Sequence, residues 1–166
     1  MPDLLVRLYD LPGVASELNR SADLGVVIRR AMAYEKHVVV GWVKDRFGKS
    51  WADECEVAFS HHPVSCFIAT KAGSIAGFAC YECTCLNFFG PTGVDVENRG
   101  TGIGKALLLS CLHALAARGY AYAVIGGAGP TEFFVKAAGA LPIAGSTPGI
   151  YRDRLKTNDL NLGDTP

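Results

Sequence analysis

Three closely spaced glycines, Gly100, Gly102 and Gly104, form the segment of this chain best suited to bind a ligand. A valine-rich run ends at Val96, just before them, and an apolar helical pattern starts around Lys105. Glycine permits positive φ and allows a ligand to approach the backbone N–H groups closely. The start of a helix adds unpaired N–H groups and the positive end of the helix dipole. The segment therefore predicts a phosphate or pyrophosphate site.

The spacing within this segment rules out two common nucleotide-binding loops. The phosphate loop of NTPases needs a glycine where this chain has Arg99 and a hydroxyl residue where it has Ala106. A Rossmann fingerprint starting at Gly100 needs its third glycine at the position of Lys105. A glycine-rich helix start without any ligand remains the alternative interpretation.

Two motifs together resemble the GCN5-related N-acetyltransferase family. The pattern Arg-x-x-Gly-x-Gly, which begins at Arg99, is similar to the acyl-CoA pyrophosphate loop of that family. Residues 131–140, with the sequence TEFFVKAAGA, resemble the family's Phe-Tyr-x-Lys-x-Gly-Phe helix. The motifs lie about 30 residues apart with a predicted strand between them, and the resemblance covers roughly residues 26–155. It implies an acyl-CoA N-acyltransferase fold with acetyl-CoA as cosubstrate.

The resemblance also implies which residues contact acetyl-CoA. Backbone groups of Val94, Asp95 and Val96 would pair with the pantetheine amides, and the Val94 N–H would face the thioester carbonyl. Phe133 and Lys136 would lie near the arm or the adenosine, although Lys136 is equally well explained as a solvated helix charge. N–H groups of one continuous loop would surround the pyrophosphate: Arg99, Gly100, Thr101, Gly102, Ile103, Gly104 and Lys105.

Acetyl transfer to an amine needs a proton acceptor, because an alkylammonium with a pKa of about 10 is not a nucleophile. Glu82, near the end of a predicted strand, is the first candidate for the general base. The pair His61 and His62 and the carboxylate of Asp95 are further candidates. Each of these groups also has a simple explanation as a solvated side chain.

The proton donor to the leaving thiolate departs from the family pattern. The family often uses the tyrosine of its Phe-Tyr pair, whereas this chain has Phe134 at that position. Tyr151, in the predicted last strand, or a water molecule is expected to replace it. The chain is thus predicted to transfer an acetyl group to a primary amine of a small molecule or peptide by direct attack in a ternary complex. A non-catalytic acyl-CoA-binding sensor and a protein-interaction domain remain alternatives.

Composition narrows the class of protein and of partner. The 166 residues suit one main domain, and 16 basic residues balance 16 acidic ones, which argues against a nucleic-acid surface. The first residues lack the pattern of a signal peptide, and no apolar run reaches membrane-spanning length, so a cytoplasmic protein is expected. Because the family often forms dimers, the resemblance allows for a homodimer.

Six cysteines raise the question of a metal site. Cys80 and Cys83 have the spacing of a metal-binding pair, but they fall on a predicted strand, where residues three apart point to opposite faces. Cys83 and Cys85 share a face, yet no histidine lies near them in the sequence. Reduced, buried thiols and no metal site are therefore predicted.

Hydrophobic patterns predict a mixed α/β (α+β) fold. The family resemblance implies that the strands form a mostly antiparallel central sheet of about six to seven strands flanked by helices, with a splay between the fourth and fifth strands of the main domain, residues 88–96 and 120–125. Gly90 and Pro91 within the first of these strands themselves favour a bulge or splay there. Other strands are predicted over residues 4–11 (at an edge), 25–30, 64–70, 74–84, 141–144 and 150–155. Helices are predicted over residues 14–20, 34–47, 102–118 and 131–138, and one more from a Ser50 capping box to Pro63.

The same patterns predict how the chain is divided. Residues 1–25 would form an N-terminal extension with a short strand and a helix, residues 26–156 the acetyltransferase domain, and residues 157–166 a frayed C-terminal tail. No internal repeat is visible.

Overall fold

The computed structural model describes residues 1–155, and its central element is a seven-stranded sheet. The strands are β1 (Leu4–Arg7), β2 (Val26–Arg30), β3 (Cys66–Lys71), β4 (Ser74–Tyr81), β5 (Phe88–Val94), β6 (Tyr122–Ile125) and β7 (Leu141–Pro142). The α-helices are α1 (Ala15–Asp23), α2 (Lys36–Phe47), α3 (Lys49–Ala58), α4 (Ile103–Ala117) and α5 (Thr131–Ala138). The strand order is β2-β3-β4-β5-β6-β1-β7, and every neighbouring pair is antiparallel except β5 and β6. The predicted mixed, mostly antiparallel sheet is confirmed.

Helices cover the sheet in two groups, each over its own core. On one side α4 is buried by the strands together with residues of α5, and this explains why α4 is apolar around most of its circumference. On the other side α2 and α3 pack through a smaller core. Within residues 1–155, no helix is both long enough and apolar enough to cross a bilayer.

The position of β1 corrects the prediction of an edge strand. β1 pairs with β6 on one side and with β7 on the other, so it lies inside the sheet. Its alternate residues Leu4 and Val6 are fully buried, which anchors the strand in the main core. Pairing between residue 4 and residue 125 spans most of the chain, so no local pattern reveals it. The division into an extension and a domain stays a prediction, and the predicted frayed tail lies outside the described residues.

The C-terminal part of the described chain differs most from expectation. The predicted strand over residues 141–144 shortens to Leu141–Pro142. The predicted strand over residues 150–155 is wrong, because Gly149–Tyr151 form a short 3-10 helix. Gly149 has a φ of 58°, in the left-handed region that turns the chain and that an extended strand does not contain.

The predicted capping box at Ser50 is also wrong. The helix α3 begins at Lys49, directly after Gly48, so Ser50 lies inside the first turn and no side chain caps the helix. Gly48 has a φ of 91°, and its N–H bonds back to the last turn of α2 at 3.1 Å. One glycine therefore both ends α2 and starts α3, leaving no room for a separate cap.

The two strands predicted to splay do so. β5 pairs in parallel with β6 only through Phe88 and Phe89. The register of β5 against β4 then shifts at Gly90 and Pro91, which together form a bulge. Because proline donates no hydrogen bond to a ladder, the bulge helps β5 to leave β6. A gap opens between the second half of β5 and the end of β6.

Gly93 holds the sheet close to the helices on the α2–α3 side. A Cβ atom at this position would lie 2.5 Å from the ring of Phe47. We predict that Gly93→Ala lowers the free energy of unfolding by about 1–3 kcal/mol, as overpacking of a core does. Thermal denaturation checks this, with Gly13→Ala as control, because a Cβ atom at Gly13 would have nothing within 4 Å of it. Equal melting temperatures for the two variants would contradict the prediction.

Candidate functional site

A cavity of about 400 Å³ opens beside the N-terminus of α4, between that helix, β5 and α5. Two segments that are far apart in sequence, the glycine loop and the start of α5, form opposite walls. The cavity is lined by Thr92, Val94, Asn98, Arg99, Gly100, Gly102, Ile103, Gly104, Lys105, Gly129, Pro130, Phe133 and Phe134. Its size falls within the usual range of small-molecule sites.

The glycine loop presents unpaired backbone donors. Gly100 and Gly102 have φ values of 76° and 93°, which side chains rarely tolerate. Within residues 1–155, the N–H groups from Gly100 to Lys105 have no hydrogen-bond acceptor, and Ala106 is the first to bond back, to the Gly102 carbonyl at 3.1 Å. These donors coincide with the positive end of α4, so the loop suits a phosphate or pyrophosphate group.

Side chains tie the loop to β5. The Arg99 Nε–H donates to the Val94 carbonyl at 3.2 Å, and the Thr101 hydroxyl donates to the Asn98 carbonyl at 2.7 Å. These bonds hold the loop open without occupying its N–H groups. Arg99 is exposed, so the rest of its guanidinium is accessible to an anion at the loop.

The helix α1 places a buried carboxylate behind the loop, which sequence analysis did not anticipate. Glu17 is 5% exposed, and its Oε1 lies 2.8 Å from the Nζ of Lys105. Hydrogen bonding to Lys105 lowers the pKa of Glu17 against the opposing effect of burial. The contact joins residues 17 and 105, so no local motif signals it. It fixes the ammonium of Lys105 at the edge of the cavity.

The structure brings most of the predicted acetyl-CoA contacts to this cavity, but not all. The Asp95 N–H is used by the Ala76 carbonyl at 2.9 Å, and the Asp95 carboxylate pairs with Arg46 at 3.2 Å. The side chain of Lys136 is 81% exposed, with its Nζ 3.8 Å from Glu132. Val96 is 71% exposed, in the short 3-10 helix that precedes the loop. Those that line the cavity are Val94, Arg99, Gly100, Gly102, Ile103, Gly104, Lys105 and Phe133; those that do not are Asp95, Val96, Thr101 and Lys136.

Five lining residues were not anticipated as contacts: Thr92, Asn98, Gly129, Pro130 and Phe134. Phe134 is buried and packs edge-on against Phe89 with ring centroids 6.2 Å apart. It lines the cavity at the position where the resemblance implies a tyrosine, and it has no hydroxyl. Gly129 and Pro130 lie directly before α5. Their position just before the Phe-Phe motif is the feature of the sequence that could have predicted them as lining residues.

The backbone of β5 directs polar groups into the gap. The Asp95 N–H donates to the Ala76 carbonyl of the neighbouring segment at 2.9 Å. Because N–H groups alternate in direction along a strand, those of Val94 and Thr92 point away from β4, towards the gap beside β6. A strand with one unpaired edge can bind an extended ligand through main-chain hydrogen bonds.

Tyr151 reaches the point where the gap begins. Its hydroxyl lies against Gly126, which follows the last residue of β6, so closely that any side chain at Gly126 would collide with it. A Cβ atom built at Gly126 would also lie 3.0 Å from the ring of Phe88. Burial, followed by the nearby negative charges of Glu54 and Asp3, raises the pKa of Tyr151 to about 12. The hydroxyl therefore stays protonated at neutral pH.

Glu54 is a carboxylate near this point that sequence analysis missed. It lies on α3, half-buried, and its Oε1 accepts a hydrogen bond from the Thr84 hydroxyl at 2.7 Å. Its negative charge contributes to the raised pKa of Tyr151. Trp51, 36% exposed and stacked on Phe47, precedes it on the same helix. These residues form a partly apolar surface on the sheet face opposite α4.

Glu82 lies outside the cavity. It follows β4 with a φ of 58°, and its carboxylate is 2.9 Å from the Nε of Arg118, just beyond the C-terminus of α4. The 15 residues of α4 span about 22 Å, so this ion pair lies one helix length from the glycine loop. The interaction with the Glu82 carboxylate raises the pKa of Tyr120. These partners explain Glu82 as a structural group, and its role as the base stays a prediction.

Comparisons with known proteins bear on the fold of this chain. No family model and no curated protein matches the sequence. A solved GCN5-related glucosamine N-acetyltransferase region of a fungal multidomain GH3 β-N-acetylglucosaminidase is 14% identical with a TM-score of 0.70, covering 86% of this chain and 19% of that one. A GCN5-related N-acetyltransferase from Sphaerobacter thermophilus is 17% identical with a TM-score of 0.62, covering 86% and 48%.

A third similar structure, a conserved protein of unknown function from Staphylococcus epidermidis, is 13% identical with a TM-score of 0.52 and covers 86% of this chain and 57% of that one. The chain thus spans about a fifth and about half of the first two matched structures. Its fold is that of the GCN5-related N-acetyltransferases, as the two sequence motifs predicted.

Proposed function

We propose that this protein is an acetyl-CoA-dependent N-acetyltransferase that acylates a primary amine of a small molecule or peptide in a ternary complex. The observation that carries the proposal is the row of unpaired N–H groups from Gly100 to Lys105, opening onto a cavity beside a splayed strand. A pyrophosphate needs such donors, and an extended pantetheine arm needs such a strand edge. The fold supports both assignments.

The residues of the cavity fit coenzyme A in chemistry as well as in position. The loop N–H groups would hold the pyrophosphate, with the charges of Arg99 and Lys105 beside it. The outward N–H groups of Val94 and Thr92 would pair with the amides of the arm. Phe133 would cover the arm from α5. When bound, acetyl-CoA supplies an activated acetyl group as a thioester.

Two side chains on the opposite face are proposed to handle protons. Glu54 would attract an ammonium substrate and accept a proton from it, directly or through water. Tyr151 would donate a hydrogen bond to the departing sulfur, because it stays protonated at neutral pH. A thiol has a pKa of about 8.5, so full proton transfer from a hydroxyl of much higher pKa is uphill. Tyr151 is therefore assigned as a hydrogen-bond donor.

The proposal is tested by binding and by turnover. Acetyl-CoA at about 100 times its Kd stabilises a protein by about 2.7 kcal/mol, which corresponds to a rise in melting temperature of about 5–10 °C for a chain of this size. Release of free coenzyme A thiol is then followed across a panel of amines. Because one similar structure is a glucosamine N-acetyltransferase region, the panel includes amino sugars as well as amino acids and peptides. Absence of any thermal shift at millimolar acetyl-CoA would overturn the proposal.

A non-catalytic acyl-CoA sensor is the second candidate, favoured by one observation. Phe134 lines the cavity at the position where the related family often has a tyrosine proton donor. A sensor would show the thermal shift without amine-dependent thiol release. If Phe134→Tyr then gained turnover, the chain would be an enzyme that has lost one catalytic group.

A further inference from the structure

Three buried thiols meet on the side of the sheet that faces α2 and α3. Cys55 comes from α3, Cys66 from β3 and Cys80 from β4, and their sulfur atoms all lie within 4.8 Å of one another. Each of the three residues is 0% exposed. Sequence analysis considered Cys80 with Cys83, whereas the actual neighbours come from two other elements. The cluster lies apart from the acyl-CoA cavity and is not explained by the proposed function.

The backbone fixes two of these thiols face to face. Cys66 and Cys80 are directly opposed in the antiparallel β3–β4 pair, and the Tyr81 N–H donates to the Ser65 carbonyl at 3.0 Å. The opposed cysteines therefore form a non-hydrogen-bonded pair, the type in which side chains approach most closely. Cys55 approaches the same two sulfurs from the helix α3. The three donors thus converge from two strands and one helix.

The size of the cluster suits a three-coordinate thiophilic centre. Three sulfurs bound pyramidally to one atom at about 2.3 Å lie about 3–4 Å apart, which is within the 4.8 Å that limits their separations here. No carboxylate or imidazole belongs to the group among residues 1–155, and structural zinc almost always takes four ligands. Three sulfurs alone therefore favour a soft ion of lower coordination number.

Charge decides which ion fits. The surrounding core is apolar, with Val39, Val43, Ala52, Ala58, Ile68 and Phe78 among its buried residues. A monovalent ion with three thiolates would leave two uncompensated negative charges there, at a large desolvation cost. A trivalent ion with three thiolates is neutral. We propose that Cys55, Cys66 and Cys80 form a binding site for trivalent arsenic, held as a neutral tris-thiolate.

The binding reaction balances without any redox partner. Arsenous acid, As(OH)₃, is itself neutral and can enter an apolar region. Three As–O bonds break and three As–S bonds form, while each thiol proton leaves with a hydroxide as water. Arsenic stays trivalent throughout, and three water molecules are released.

Two further cysteines mark a route from the surface. Cys85 is exposed, and Cys83 is half-buried, donating through its thiol to the Tyr81 carbonyl at 3.6 Å. Cys83 packs against the same buried core that contains Cys55, Cys66 and Cys80. Cys85 and Cys83 are thus the thiols nearer the surface, and as part of the proposal we expect Cys85 to meet arsenic first.

The test uses the reduced full-length protein and sodium arsenite. Native mass spectrometry is expected to show one arsenic bound with loss of three hydrogens, and titration should find three fewer reactive thiols. A rise in melting temperature should accompany binding. Two bound sulfurs instead of three, or binding of monovalent copper but not arsenite, would overturn the proposal. Because these readouts need only the unaltered protein, they decide the question even if core variants fail to fold.

Variants locate the site. Cys55→Ala, Cys66→Ala and Cys80→Ala should each weaken arsenite binding at least about 100-fold, since each removes one of three bonds. Cys111→Ala is the matched control, because Cys111 is equally buried but belongs to α4, on the other side of the sheet. Cys85→Ser should slow binding without changing its equilibrium. Arsenite binding that survives in all three cluster variants would place the site elsewhere and refute the assignment.

Discussion

Replacing Gly104 with glutamate is expected to abolish acetyl-CoA binding while leaving the fold intact. A Cβ at Gly104 would lie in ordinary contact with Val94 and Phe133, 3.6 and 3.7 Å away, so the longer side chain extends into the cavity. Its charge would oppose the pyrophosphate: two like charges about 5 Å apart at an effective dielectric of 20 repel by about 3 kcal/mol, or more than 100-fold in affinity. The thermal shift with acetyl-CoA should therefore disappear.

The matched control is Gly41→Glu. Gly41 also lies within a helix, and nothing stands within 4 Å of a Cβ built there, so the substitution changes the same charge and the same helix propensity. It should keep the full acetyl-CoA shift. Both variants should fold, because glycine is about 1 kcal/mol less favourable than alanine inside a helix and glutamate is a better helix former than glycine. A normal acetyl-CoA shift in Gly104→Glu would contradict the location of the cofactor at the α4 N-terminus.

Elements with strong local patterns could be predicted from the sequence. The helix α4 and the strand β6 follow one another as an apolar helix, a glycine stop and a continuous apolar run, and all three are found. The splay was predictable because Gly90 and Pro91 disfavour a regular ladder wherever they fall in a strand. The place of β1 was not, because its pairing with β6 depends on contacts across almost the whole chain.

In the candidate site, too, the features with a local sequence pattern could be predicted, and those that depend on distant contacts could not. The glycine loop is continuous, so its N–H groups and the start of α4 were visible in the sequence. Glu17 and Glu54 were missed because each reaches its partner from a distant helix, and neither belongs to a motif. Glu82 was considered because of its apolar neighbours in sequence, but its ion pair with Arg118 depends on where α4 ends. Spatial partners, which local patterns do not contain, decide what a carboxylate does.

For Tyr151 the predicted element is wrong, while its proposed role stays a prediction. Sequence analysis placed it in a last strand near the arm, whereas a 3-10 helix carries it. The turn nevertheless brings the hydroxyl to Gly126, where β6 ends and the gap begins. Phe134, from the other side of the sheet, has no hydroxyl to compete with it. A protonated hydroxyl is thus present where the gap begins.

Tyr151→Phe is therefore expected to reduce kcat by about 100-fold, the lower end of the range for loss of one hydrogen-bond donor to developing negative charge. Acetyl-CoA binding should be unchanged, because Tyr151 does not line the cofactor cavity. The pH profile gives an independent check. With a pKa of about 12, the Tyr151 hydroxyl stays protonated through the neutral and moderately alkaline range, so its ionisation should cause no loss of activity below about pH 11.

The control for Tyr151→Phe is Tyr34→Phe, which removes a hydroxyl from a side chain that is 78% exposed, before α2. It should leave turnover and thermal shift unchanged. If Tyr151→Phe keeps full turnover, the thiolate departs without help from this residue and water becomes the donor. If Tyr151→Phe instead loses the acetyl-CoA shift, the hydroxyl serves binding, because a group that acts only on the leaving sulfur lowers kcat without changing ground-state affinity.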